Sequence, residues 1–279
     1  MSYVPALPLG GIAGWRFLER TAAKQQEAFE RSAAVEREIA WFEERIGAVT
    51  SAADLVADRR LLKVALTAFG LEDKIDQKAF VRKVLEEGTT AADAFAVRLS
   101  DPAWKNLSAA FGFGDTAGGR TGETGFAARI VAAYKTRAFE SAVGEADDSL
   151  RLAMNFKREI ATLAAEGEQG ASWYKILGSK PLREVFETAF GLPSGFVNLD
   201  IDRQRDILAG KTDAAFGSDT LSVFADPAMV EKMITRFLAR AQIAAAPAGT
   251  SPASAALTLL RADTAGGTSG LFNLLASKS

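Results

Sequence analysis

The chain repeats itself at a fixed distance. Thr67-Ala68-Phe69-Gly70-Leu71 returns 121 residues later as Thr188-Ala189-Phe190-Gly191-Leu192, and Arg37-Glu38-Ile39-Ala40 returns at the same offset as Arg158-Glu159-Ile160-Ala161. Ser51 and Ser172, Asp58 and Ser179, Leu55 and Ile176, Val56 and Leu177, and Leu61 and Leu182 keep the same spacing. Self-similarity of this kind means that one supersecondary unit is present twice, so any fold proposed for one half must also suit the other.

The shared positions are helix punctuation. Asp58 and Ser179 are short polar residues of the kind that cap a helix start by accepting an orphan backbone N–H. The helix after Asp58 carries Leu61, Val64, Ala65, Ala68 and Phe69, and its copy carries Leu182, Val185, Phe186, Ala189 and Phe190. Apolar residues at steps of three and one form one helical face. Gly70 and Gly191 then stand where a left-handed glycine ends a helix, and Leu71 and Leu192 stand where an apolar residue folds back on the last turn. A second landmark, Asp101-Pro102, returns as Asp226-Pro227 at an offset of 125. Asp is a good N-cap, and Pro at the first helical position loses no hydrogen bond. The drift of four residues implies an insertion in copy two, which the loop from Pro193 to Leu199 is suited to hold.

Between these landmarks the periodicity predicts short helices over about 75–86 and 91–99 in copy one, and over 200–209 and 218–225 in copy two. Long helices precede each copy, over about 12–47 and 147–166, and a further helix over 124–143 joins the two. No stretch sustains period-two alternation, so the expected fold is all-α without a sheet. The expected organisation is two tandem, bundle-like multi-helix units. The first covers residues 1–113 and the second 126–244, with a glycine-rich linker over 114–125 and a flexible tail over 245–279 that is poor in bulky apolar residues.

What the chain lacks narrows its chemistry. It has no cysteine and no histidine, which removes disulfides, thiolate nucleophiles, Ser-His-Asp triads, His- or Cys-ligated zinc and imidazole acid–base catalysis. Net charge is −2, so no basic excess favours nucleic acid. No apolar run reaches the ~18–20 residues of a membrane span. The start shows neither a basic segment nor a clean cleavage site for a secretion signal, so the expected compartment is the cytoplasm, with export by a route that leaves no cleaved signal left open.

Candidate sites fail on inspection. The glycine-rich stretch 114–125 lacks both G-x-x-x-x-G-K-[ST] and G-x-G-x-x-G and follows a helix, so it reads as a linker and not a phosphate cradle. Asp200, Asp202 and Asp206 suggest a calcium loop, but Arg205 stands where its glycine belongs and Lys211 where its closing glutamate belongs. The pairs Glu43-Glu44 and Glu86-Glu87 lie beside basic residues on polar helical faces, where neither carboxyl is desolvated as acid–base work requires. Trp41, Trp104 and Trp173 fall on apolar stripes and read as core, whereas Trp15 precedes the first clear stripe and is expected to be exposed. The expectation is therefore a protein with no catalytic residue, cofactor or metal. The apolar end formed by Leu271, Phe272, Leu274 and Leu275 either packs on the body or docks on a partner.

Written out, the two copies resemble a bacterial family of unknown function whose members carry one or more such helical units and are often encoded beside flagellar genes. The resemblance rests on Arg37-Glu38-Ile39-Ala40 before Ser51, on Ala68-Phe69-Gly70-Leu71 and on Asp101-Pro102. Their second copies, with Ser172-Trp173 and Pro181-Leu182-Arg183, extend it over about residues 12–243. It implies an all-helical fold and, by gene neighbourhood, a link to flagellar assembly or function and to export through a flagellar route, so the expected partner is a protein, with a flagellar component as the candidate. It supplies no catalytic residues. The expected role is a non-enzymatic interaction protein, a structural accessory or assembly factor. The rivals are an enzyme that cleaves cell-wall glycan with carboxylates alone, and a cytoplasmic adaptor unrelated to motility.

Overall fold

The structure, a computed structural model, describes residues 3–165 and 171–245. Among them are thirteen α-helices and no strand. Copy one comprises α1 (Gly11–Glu30), α2 (Ala33–Arg45), α3 (Ala52–Ala57), α4 (Arg59–Ala68), α5 (Lys78–Glu87), α6 (Phe95–Arg98) and α7 (Pro102–Phe111). Copy two comprises α8 (Phe126–Ala146), α9 (Asp148–Ala165), α10 (Ala171–Gly178), α11 (Lys180–Phe190), α12 (Ile201–Phe216) and α13 (Pro227–Ala245), with a 3₁₀ turn, Leu221–Ala225, in the place of α6.

The two helix stops have the same hydrogen bonds. Gly70 (φ +74°) and Gly191 (φ +62°) are left-handed, a conformation cheap only for glycine. Leu71 N–H donates to the Leu66 carbonyl at 2.9 Å and Gly70 N–H to the Thr67 carbonyl at 3.0 Å. Leu192 and Gly191 donate to Glu187 and Thr188 at the same two distances. These are the paired bonds that satisfy the orphan carbonyls of a helix end. The starts differ more. Asp58 accepts from Arg60 and Leu61 N–H, Asp101 from Ala103 N–H and Asp226 from Ala228 N–H, but the Ser179 side chain caps nothing.

Several expectations are corrected. The single helix over 12–47 is two helices. Ser32, with ψ 137°, leaves the helical region and its carbonyl accepts from Glu36 N–H, so it opens α2 as an N-cap residue. The break turns α2 onto α4 and α8 while Phe29 and Val35, on either side of it, both stay in the core. Trp15 is 3% exposed, and its indole N–H donates to Glu231 on α13 at 3.0 Å. Of the four extra residues in copy two, two lie before α12, since eight residues separate Leu192 from Ile201 and six separate Leu71 from Lys78. The other two are the balance of a longer helix and a shorter link: α12 has 16 residues against 10 in α5, and nine residues separate it from Asp226 where thirteen separate α5 from Asp101.

The glycine-rich stretch 114–125 is packed. Thr121 donates to the buried Val49 carbonyl at 2.6 Å, Arg120 N–H to the Phe111 carbonyl at 2.9 Å, and Asp115 accepts from Thr89 N–H at 2.6 Å. A Cβ on Gly114 would meet the Glu86 carbonyl oxygen at 2.3 Å, so the backbone of this loop passes too close to α5 for any other residue. One continuous core runs through both copies, with Phe42, Phe111, Phe139, Phe156, Phe186 and Phe237 almost completely buried in it.

Candidate functional site

The concavity that joins the copies lies where the end of α4 and the start of α7 face α9, α10 and α11. Its volume is about 220 Å³. Four residues of the repeated motifs line it from copy one: Phe69, Gly70, Asp101 and Pro102. Asn155, Glu159, Thr162, Lys175, Ser179 and Pro181 line it from copy two, and Arg137 of α8 closes the side between them. The counterparts Phe190, Gly191, Leu192, Asp226 and Pro227 are not brought to this cleft. Phe190 instead packs against Phe186, ring centroids 5.9 Å apart, beneath Arg236. Leu271, Phe272, Leu274 and Leu275 lie outside the described residues.

Local sequence explains why each group stands where it does. Asp101 must sit at the mouth of α7 because its carboxylate caps that helix through Ala103 N–H at 2.9 Å. Gly70 lets Arg137 approach the chain, since a Cβ there would meet the guanidinium at 2.7 Å. Arg137 and Glu159 pair at 2.7 Å. Glu159 also bonds Arg158, which grips the buried Glu140 through two nitrogens at 2.8 and 2.9 Å. Two guanidinium groups and two carboxylates thus neutralise one another in a chain between α8 and α9. Such bidentate, partly desolvated pairs fix geometry strongly.

The electrostatics follow from burial. Burial raises the Asp101 carboxyl above the ordinary aspartate range, with Ala103 N–H and the Arg137 charge opposing it. Burial also lowers Arg137, reinforced by the like charge of Arg158. Burial is the largest single influence on Arg158 and would lower it, but the bonds and charges of Glu140 and Glu159 together outweigh burial and hold it above its usual value. Asn155 is 7% exposed and its Oδ1 accepts no hydrogen bond. The cleft therefore offers one partly buried carboxyl, one paired guanidinium, a lysine and an amide, above apolar surface from Phe69, Pro102 and Pro181. That set suits recognition of a group with both a flat apolar body and a polar tip.

A second hollow, about 300 Å³, opens on the other side of the same charge network, over Trp15, Leu18, Ala22 and Met154. Lys157 crosses its rim, pairing with Glu19 and with Glu231 at 2.9 Å. Among the described residues no group of three or more Asp and Glu could hold a metal ion, and no helix is long and apolar enough to cross a membrane. The sequence reading missed Arg137, Glu140 and Asn155, because their signal is a position on α8 or α9 and not a motif.

A search of curated proteins finds none that matches. The fold is similar to a crystal structure of an Agrobacterium tumefaciens protein from a structural genomics effort, with a TM-score of 0.68 and 28% identity over 87% of this chain and 100% of that one. Residues 68–230, which run from the end of α4 into α13, match the profile of a family described as protein of unknown function, DUF1217. The matched span contains both Phe-Gly-Leu stops, both Asp-Pro starts and every residue that lines the cleft, and the chain belongs to that DUF1217 family.

Proposed function

We propose that this chain is a non-enzymatic helical interaction protein that serves the flagellum as a structural accessory or assembly factor. The observation that carries the first half is the cleft between the copies. It is walled by both units, and its Arg137 and Glu159 are spent on each other, which supports a role in holding a shape over one in turning over a substrate. The flagellar half rests on the family resemblance of the duplicated motifs. The cytoplasm, with export along a flagellar route, fits that role.

One observation favours a rival. Asp101, with its raised carboxyl, and Glu159 line the same cleft, and a pair of carboxylates is the minimum for glycan cleavage. Two features weigh against it. Glu159 is bonded to two arginines, and the cleft is smaller than the roughly 300–1,000 Å³ usual for small-molecule sites.

A deletion strain scored for swimming, with a pull-down on the tagged protein, tests the proposal. Impaired swimming with recovery of a flagellar component is expected. Normal swimming and recovery of unrelated proteins alone would replace it with an adaptor outside motility. Release of muropeptides from purified cell wall, abolished by Asp101→Asn, would replace it with the enzyme.

A further inference from the structure

The two copies differ at the cleft in one telling way. In copy one, Trp41 of α2 lies between two guanidinium groups, Arg45 at 3.7 Å and Arg60 at 4.2 Å from the ring centroid, and its indole N–H donates to Asp58 at 3.0 Å. Moved by 121 residues, Trp41 becomes Thr162, Asp58 becomes Ser179 and Arg60 becomes Pro181. All three line the cleft. The position that copy one fills with its own indole is thus left open in copy two by smaller residues, while Glu159, the counterpart of Glu38, remains.

We propose that this cleft receives a flat aromatic side chain bearing a hydrogen-bond donor, above all tryptophan, from a partner polypeptide. The inference rests on the reading of this chain as an interaction protein and names what the cleft recognises. The surroundings supply what Trp41 enjoys in copy one. Arg137 offers a guanidinium beside the cavity, as Arg60 does for Trp41. Asp101, across from Ser179, offers the carboxylate that Asp58 gives in copy one, and Asn155 brings an amide whose oxygen has no partner. The volume also fits: a cavity of about 150 Å³ accepts benzene, so one of about 220 Å³ has room for a bicyclic ring.

The test uses the full chain and N-acetyl-tryptophanamide, read by ligand-observed and amide NMR, with N-acetyl-leucinamide and free tryptophan as comparators. The tryptophan amide should bind, perturb amides around Thr162 and Ser179, and outcompete the leucine amide. Thr162→Trp, which copies Trp41 into the second unit, should weaken the probe by at least about tenfold with an unchanged melting temperature. Asn106→Trp, at an exposed position that also lines the cleft, gives a second plug. Binding that survives both plugs, or equal binding of the leucine amide, would overturn the proposal. Free tryptophan bound far more tightly than its amide would point to a free amino acid in place of a polypeptide. Binding that appears only after truncation behind Ala245 would assign the cleft to this chain's own tail. A null with the probe leaves the swimming and pull-down results untouched, so the two proposals fail separately.

Discussion

The two copies begin alike and close differently. In copy two, α11 packs chiefly against α13, the helix that starts at Asp226-Pro227. In copy one, the helix that starts at Asp101-Pro102 is α7, yet α4 packs chiefly against α8. Arginines mark the exchange: Arg137 of α8 lies against Gly70 as Arg240 of α13 lies against Gly191. The cause is local. α13 runs on for 19 residues, whereas α7 ends after 10 at Gly112, which is left-handed at φ +68°, and the glycine-rich loop carries the chain away. α8 then serves twice, closing copy one and leading into copy two. A duplicated sequence has thus produced an asymmetric pair, and the cleft exists because of that asymmetry.

The largest effect should separate the two phenylalanines that end α4 and α11. Phe190 is 5% exposed and packed on Phe186, so Phe190→Ala removes a full aromatic side chain from the core and should cost about 3–4 kcal/mol. Phe69 is only half-buried, at the wall of the cleft, and Phe69→Ala should cost about half as much. Urea denaturation of both variants measures the gap. Equal losses would mean that the stops share surroundings as well as hydrogen bonds.

A second pair tests the charge network. Glu140 and Glu19 are 121 positions apart. Glu140 is 6% exposed and holds Arg158 through two bonds, whereas Glu19 meets Lys157 at an exposed site. Glu140→Ala leaves the partly buried Arg158 guanidinium with Glu159 alone and should cost about 2–3 kcal/mol, because removing one member of a buried pair leaves the other only partly compensated. Glu19→Ala should cost under about 1 kcal/mol, the range of surface pairs. Thermal unfolding of the two variants checks the ratio, and a costlier Glu19→Ala would show that the Lys157 cluster and not the α8–α9 network carries the electrostatic strength.

These contrasts also show what a sequence exposes. The helical class and the two glycine stops were readable because both depend on residues within one turn of each other: Phe69, Gly70 and Leu71 state a helix end without reference to the rest of the chain. The break at Ser32 was hidden because the apolar stripe continues through it, and only the packing of α2 shows that the chain turned. Trp15 looked peripheral because its partner, Glu231, lies more than two hundred residues away. The cleft was hidden for a related reason. Asp101 and Thr162 meet only in the fold, and what matters at Thr162 is a tryptophan that is absent. Comparing the copies position by position, with Trp41 set against Thr162, is the one signal in the sequence that leads there.

The smallest effect concerns the two Asp-Pro starts. Asp226 caps α13 on an exposed surface, and Asp226→Ala should cost about 1 kcal/mol, the ordinary value of a lost cap. Asp101 performs the same service in the cleft, where burial raises its carboxyl above 3.8, the ordinary aspartate value. A carboxyl raised by folding binds its proton more tightly in the folded chain than in the unfolded one. The folded state is therefore favoured while the group is protonated, and that advantage is lost as pH rises from 3.8 through the raised value. Asn caps a helix as well as Asp does and carries no charge to desolvate. Asp101→Asn should then leave stability at neutral pH unchanged or higher by a few tenths of a kcal/mol, and should remove the decline that the Asp101 carboxyl is expected to contribute between acidic and neutral pH in the unsubstituted chain. A cost of about 1 kcal/mol at neutral pH, matching Asp226→Ala, would instead mean that Arg137 holds the Asp101 carboxylate more tightly than burial repels it, and that the cleft prefers its acid ionised.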